Sequence, residues 1–324
     1  MKKLHLYNNN KIAYTLIILT ISFLYAFSLV YFFPMESITD RENYLVYASN
    51  SDLIQNRYLS RGILSFFTNE PLWLTINTFL SYFFSPTYVV SLIIFLSAFI
   101  SAYLILQYKP KFIVFLFIIL FFPPVIGKYI AHLRQGLAIS IFLIGWFSAS
   151  KNWRLFFFVL TPFIHASFFF VLLLLIISHF LNRIKFAIDL KIVAIIIFGL
   201  ALGLGLGYIT TIIGARQAEE YKFSAENISG LGFVFWLSIL LLYLNQGRFF
   251  SSKNTFAIVT IVFYLSTYFL IEVTARIFES TMIIVLLSSL DLTSWRRNIC
   301  FLLIISFELI NWFIRFNKPW FGWG

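Results

Sequence analysis

The residues of this chain with chemistry to do are charged and polar side chains stranded inside long apolar runs. They are Lys128, His132, Arg134 and Gln135, then His165, then Glu272, Arg276 and Glu279. A charge held beside hydrocarbon is costly, and where it persists it marks a substrate path or a reaction centre. Most of these groups are cationic, with imidazoles and a few carboxylates among them as candidate bases. Such a set suits a phosphate carried on a lipid better than a bare metal or a proton. Arginine is the best of the cations for that task, because its planar fork pairs with two phosphate oxygens and stays charged. Arg134 and Arg276 are therefore the leading candidates to hold a diphosphate and to stabilise the charge that builds on it as a group leaves. Lys128 and Arg216 come second. Residues at helix ends that only reach for water and headgroups are the competing explanation for all four.

A hydroxyl that attacks must lose its proton, which asks for a positioned base. His165 leads, because it follows Thr161 and Pro162 in the segment 155–180, where proline and buried polar groups predict a broken helix. Broken helices at membrane depth are tolerated where they line a cavity. The alternative is a neutral histidine that ties helices together through a backbone carbonyl. His132 is the weaker base, since on a continuous helix it points roughly 200° around from Arg134. Glu272 and Arg276 are four apart and Arg276 and Glu279 three apart, so a helix puts them on one face, either as a site or as a salt-bridge network in which Glu272 holds the arginine. Glu70 stands before Pro71 at a helix start, where capping explains it as well as catalysis does. Asp40 and Tyr44 could share one helical face and contact substrate hydroxyls, or belong to a solvated loop.

The elements that must carry these groups are set by composition. Of 324 residues 60% are hydrophobic, 21% aromatic and only 11% charged, which excludes a soluble domain. Apolar runs of spanning length recur along the whole chain, so the expectation is an all-α, polytopic integral membrane helical bundle over 1–324 as a single domain. The first run, 12–33, is too long for a cleaved signal and reads as a retained span. The single cysteine, Cys300, excludes an internal disulfide and any multi-cysteine metal site.

The net charge of +11 reads as orientation rather than nucleic-acid binding. With the amino terminus inside, the links holding Lys109, Lys111, Lys151, Arg154, Arg183, Lys185, Lys191, Arg248, Lys253, Arg296 and Arg297 all fall in the cytoplasm. More than half of the 24 basic residues then lie inside, with only Asp189 and Asp291 of the 13 acids. This sorting needs two segments that do not cross fully. One is 62–85, placed along the outer interface because Asn69, Glu70 and Pro71 leave only a short apolar stretch. The other is 155–180, read as a re-entrant pair of helices. The result is about nine full crossings plus that hairpin. It gives an outer loop with interfacial helices at 34–85, a second outer loop at 214–230, and a Trp-rich tail at 317–324 on the same side. The chemistry is then extracytoplasmic.

Asp40, Arg41 and Tyr44, then Glu70-Pro71-Leu72-Trp73, then Arg134-Gln135 with Ala138, then His165-Ala166-Ser167, and late Arg276, together resemble the EpsG-like, Wzy-type polysaccharide polymerases. The resemblance runs from about Asp40 to Glu279. It implies a GT-C-like bundle of about nine to eleven transmembrane helices in a bacterial inner membrane, with a cavity facing the periplasm. The implied activity joins undecaprenyl-diphosphate-linked oligosaccharide repeats into O-antigen, capsule or exopolysaccharide. Its partners are those lipid-linked oligosaccharides, membrane lipids and a chain-length regulator protein, with no nucleic acid. His165, Arg134 and Arg276 would be catalytic. Gln135, Lys128, His132, Arg216, Asp40, Tyr44, Glu70 and Glu272 would bind substrate.

No Gly-rich phosphate cradle, no Cys or His metal spacing, no serine nucleophile elbow and no Asp-rich divalent site is present in the sequence, so no cofactor and no metal is expected. Two other functions fit a cationic membrane cavity: a flippase for the same lipid-linked glycan, which should have repeated halves, and a membrane glycan acyltransferase, which should have a cytoplasmic acyl-donor site. Gly199, Gly203 and Gly207 recur every four residues and read as an internal packing face.

Overall fold

The computed structural model describes residues 2–184, 188–213, 230–270 and 273–324. Among them the regular structure is helical throughout. In chain order the helices are α1 (Lys2–Phe32), α2 (Arg41–Ser60), α3 (Ile63–Thr68), α4 (Pro71–Ser81), α5 (Pro86–Tyr108), α6 (Ile113–Phe121), α7 (Pro123–Ile130) and α8 (Leu133–Phe147). They continue with α9 (Lys151–Leu160), α10 (Ser167–Arg183), α11 (Ile188–Ile213), α12 (Gly230–Asn245), α13 (Arg248–Lys253), α14 (Thr255–Thr267), α15 (Val273–Ser288) and α16 (Ser294–Phe316).

Four stretches are long and apolar enough to cross a bilayer: Ile12–Phe32, Pro86–Tyr108, Ile188–Gly205 and Ser294–Phe316. A fifth forms if the bent pair Pro110–Phe121 and Pro123–Ile130 counts as one span. The protein is therefore an all-α membrane-embedded chain. Among the described residues this is fewer than the about nine full crossings that hydropathy alone suggests. The reason is physical: polar or proline-containing breaks divide the apolar runs. Leu133–Phe147, Ser167–Arg183, Gly230–Asn245 and Thr255–Thr267 are apolar but shorter, and at 1.5 Å per residue a helix of about 15 residues falls short of a hydrocarbon core of about 30 Å.

The chain forms two compact units, each assembled from separated stretches: 1–55, 72–164 and 315–324 in the first, and 56–71 and 165–314 in the second. In the first unit α5 is central, packed against α1 and α8, and more than half of its apolar stretch is buried. Ser85 in extended conformation and Pro86 at the first position start it, the arrangement in which proline's missing N–H costs nothing. Helix α6 ends where Phe122 turns extended ahead of Pro123 and Pro124, bending the path by 60° into α7. Proline forbids helical continuation at that point and disfavours it in the residue before. The sequence reading had not placed a break there. The tail folds onto the same unit: the Thr39 N–H donates to the Trp323 carbonyl at 2.8 Å, and the buried Trp323 ring meets Phe33 edge-on.

In the second unit α14 is central and packs on α10, α11, α12 and α15. Tyr264 of α14 stacks on Phe278 of α15 at 4.3 Å, and Phe235 of α12 stacks on Phe307 of α16 at 3.9 Å. Gly199 lies so close to α14 that a Cβ there would collide with the Ser266 hydroxyl. Gly203 lines a small gap with Phe263 and Ile277. The glycine stripe is thus a packing face inside this unit at both positions whose surroundings are described. Gly207 lies in α11 one turn further on.

Candidate functional site

The second unit holds the most developed cluster. The run 155–180 does break where Pro162 and His165 stand: α9 ends at Leu160, a single 3-10 turn covers Thr161–Phe163, and α10 begins at Ser167. His165 and Ala166 occupy the gap. Glu70 reaches them from the link between α3 and α4. Its Oε1 lies 2.8 Å from His165 Nδ1 and accepts the Ala166 N–H at 3.2 Å. Glu70 is buried at 4% exposure, and His165 is partly buried at 12%.

The backbone explains this aim. Glu70 has φ of 60°, a left-handed conformation that costs a side-chain-bearing residue on the order of 1–3 kcal/mol. The carboxylate therefore serves a different helix from the one it precedes. It accepts the N–H of Ala166, just ahead of α10, where helix dipoles favour negative charge.

A buried carboxylate must be hydrogen-bonded, and a charged acceptor strengthens the bond. With Glu70 ionised, Nδ1 of neutral His165 is the N–H donor and Nε2 is the basic nitrogen. That tautomer is the one a general base needs, and the carboxylate stabilises the imidazolium that forms. The start of α10 is tied to α15 by Ser167 Oγ to Ser280 Oγ at 3.0 Å, and the Ser280 hydroxyl also approaches the Arg276 carbonyl at 3.0 Å. Arg276 and Glu279 are half-buried on α15, one turn or less from this contact. Glu272 and Arg216, with most of the second outer loop, lie outside the described residues.

The first unit carries a separate cationic group around a second break. Helix α7 ends at Ile130, and α8 starts at Leu133 with His132 as its non-helical cap. The argument from angles around one continuous helix fails here, because His132 and Arg134 are not on one. Both approach the same segment. His132 Nδ1 is 4.0 Å from Asp40 Oδ2, with both side chains about two-fifths exposed, and the Arg134 guanidinium sits 5.4 Å from the centre of the Tyr47 ring. Lys128 and Gln135 flank the break and are buried. Gly136 fixes the approach of α8 to α7, since a Cβ there would collide with the Lys128 carbonyl oxygen.

Tyr44 does not share a ligand-facing surface with Asp40. Asp40 precedes α2 with φ of 66°, whereas Tyr44 is buried with its ring edge-on to Trp73 at 5.8 Å.

Arg41 is the residue whose importance the sequence reading missed. Its side chain is 1% exposed; Nε donates to the Ile130 carbonyl at 3.0 Å and Nη1 lies 3.2 Å from the Met35 sulfur. Nη2 is buried with no hydrogen-bond partner among the described residues. Burial pushes the guanidinium down to about 10, against a smaller opposing effect of Tyr44, so the group still carries its charge at neutral pH. A cation on the last carbonyl of α7 complements that helix end. The signal was an arginine directly after an aspartate at a helix start, ahead of a nearly apolar turn.

No protein-family model matches the chain, and neither does any curated protein or solved structure. Among the described residues no group of three or more His, Cys, Asp or Glu is placed to hold a metal ion.

Proposed function

We propose that the protein is a membrane glycosyltransferase that joins undecaprenyl-diphosphate-linked oligosaccharide repeats into a longer chain on the extracytoplasmic face. The observation that carries this reading is the buried Glu70–His165 pair at 2.8 Å, set in a helix break. In the reaction the acceptor sugar hydroxyl attacks the anomeric carbon of the donor. Nε2 of His165 takes the hydroxyl proton as the new C–O bond forms, and Glu70 supports the imidazolium. The anomeric carbon's bond to the phosphate oxygen breaks, and the lipid diphosphate leaves with that electron pair. The proton on His165 passes to solvent.

The cations supply what the leaving group needs. Arg276 stands in the same unit as the dyad. Arg134, Lys128 and Arg41 form a separate cationic group at the α7–α8 break of the other unit, with Gln135 as a hydrogen-bonding group, suited by itself to hold phosphate. Preorganised positive charge of this kind stabilises a departing diphosphate without reorganising during the reaction. The reading brings with it a GT-C-like bundle of about nine to eleven spans in a bacterial inner membrane. A periplasm-facing cavity and a chain-length regulator as partner belong to the same reading. The separation of basic links from the first outer loop supports that orientation.

The test is the size distribution of surface glycan in a deletion strain given wild-type, His165→Ala or Arg134→Ala copies at matched membrane levels. Single repeats in the deletion, a ladder restored by wild type and no ladder from His165→Ala support the polymerase. Long chains persisting in the deletion, or no repeat reaching the surface, would falsify it in favour of an acyltransferase or a flippase.

A further inference from the structure

A cavity of about 430 Å³ lies in the first unit, between α2 and the link from α4 to α5. Its volume falls in the range of about 300–1,000 Å³ typical of ligand sites. Ser49 and Asp52 line it from α2, and Thr78, Ser81, Tyr82 and Phe84 from the other side. Helix α2 departs from helical geometry at Asn50, with φ of −134° and ψ of 21°, between Ser49 and Asp52, which with Ala48 line the cavity from α2.

The polar groups are biased toward acceptance. The Ser49 hydroxyl donates to the Leu45 carbonyl at 2.9 Å and the Ser81 hydroxyl to the Thr78 carbonyl at 2.8 Å. Their protons are committed, so their oxygens are left to accept. Asp52 adds a carboxylate that only accepts when ionised. Thr78 Oγ1 is buried with no hydrogen-bond partner among the described residues. Tyr82 and Phe84, 77% and 46% exposed, add flat apolar faces. Among the described residues no basic side chain lines the cavity, which does not suit phosphate, a group Asp52 would repel. A ligand that fits carries several hydroxyl donors on its rim and an apolar face for the rings.

We infer that this groove is a subsite for a neutral sugar ring. In the polymerase reading it holds the acceptor end of the glycan. That assignment of the sugar rests on the proposed function, whereas the binding of a sugar ring rests on the groove alone.

The experiment uses the full chain in lipid nanodiscs with photoreactive methyl glycosides of glucose, galactose, mannose, rhamnose and N-acetylglucosamine. At least one should label residues 78–86, and excess unmodified methyl glycoside should prevent it. Asp52→Asn and Tyr82→Ala replace exposed side chains, and their thermal unfolding should match wild type. Each should cut the protected labelling roughly tenfold, the scale of one aromatic face or hydrogen bond lost. Labelling that free glycoside does not compete, that survives in both variants, or that choline removes in place of glycoside overturns the inference. So does the absence of protected labelling with every glycoside. Protected groove labelling in a protein that builds no ladder sinks the polymerase and leaves the sugar site. A normal ladder without protected labelling does the reverse.

Discussion

Glu70 and His165 lie 95 residues apart in sequence and meet at 2.8 Å inside one compact unit. The contact joins two departures from regular structure, a left-handed residue ahead of a proline and a gap between two helices. A bond that served packing alone would not need a strained carboxylate turned away from its own helix. The same carboxylate also takes the Ala166 N–H, so the imidazole is held by a group that is itself fixed to the backbone beside it.

Glu70→Gln keeps the size and an acceptor for the Ala166 N–H but removes the charge that supports an imidazolium. It should stay folded and lose about a hundred- to ten-thousand-fold in turnover, comparable to His165→Ala. Polymer formed per unit time from purified lipid-linked repeats, at matched amounts of folded protein, is the readout. A wild-type rate in Glu70→Gln removes the dyad from the mechanism. Glu70→Ala should in addition lower stability by about 1–3 kcal/mol, since it leaves buried donors without their acceptor.

Arg41→Met should be close to neutral for stability at pH 7. Lowering the guanidinium from its ordinary value to about 10 corresponds to a burial cost of about 3 kcal/mol. The lost bond to the Ile130 carbonyl gives back about 1.5–3 kcal/mol. The pH dependence has a definite sign. Below about pH 10 both states hold the proton and the folded state bears the whole cost. Above that the folded protein releases a proton the unfolded chain keeps, so stability rises with pH until the unfolded chain titrates as well. The wild-type minus Arg41→Met difference in unfolding free energy should climb across that window. A flat difference would mean that Nη2 is paired in the membrane.

The helical class, the break at Pro162 and His165, and the candidacy of Glu70 and His165 were legible because each has a local cause: apolar length, a proline, a polar residue amid apolar ones. Their partnership was not legible, since a bond between residues 70 and 165 leaves no periodic trace in either segment. The bend at Pro123 and Pro124 had a local signal, two adjacent prolines, that hydropathy averaging hid. Arg41 was passed over because an arginine in a polar loop reads as solvated until burial is seen. His132 and Arg134 were separated by a helical angle that the break at Ala131 makes void.

Gly136→Ala and Gly230→Ala should behave oppositely. A Cβ at Gly136 collides with the Lys128 carbonyl, while one at Gly230 meets nothing within 4 Å among the described residues. Overpacking against backbone costs about 1–3 kcal/mol, and here it would push α8 from α7 and disturb the group around Arg134. At Gly230, in the first turn of α12, alanine should be neutral or stabilise by up to about 1 kcal/mol. Unfolding midpoints in one detergent decide it. Equal effects at the two sites would mean that α7 and α8 are not packed at Gly136.

Asp40→Asn should change stability by less than about 0.5 kcal/mol, because its contact with His132 at 4.0 Å joins two half-exposed groups. Arg134→Lys, by contrast, should lower turnover roughly tenfold or more, since a lysine cannot present paired donors to a phosphate or lie flat on Tyr47. If Arg134→Lys turns over normally, the arginine acts as a point charge and any cation suffices.

Membrane orientation can be read with single cysteines. Lys253 pairs with Asp291 at 2.9 Å and Gln246 donates to Thr293 at 2.8 Å, so the links α12–α13 and α15–α16 lie at one end of the second unit. Charge sorting puts that end in the cytoplasm together with Lys109. The native Cys300 is fully buried and should give little background with a membrane-impermeant maleimide. Lys109→Cys and Lys253→Cys should react only after permeabilisation, and Tyr82→Cys in intact cells. If positions 109 and 253 react from opposite faces, the sorting collapses. The extracytoplasmic placement of the dyad then goes with it, because nothing else orients the chain.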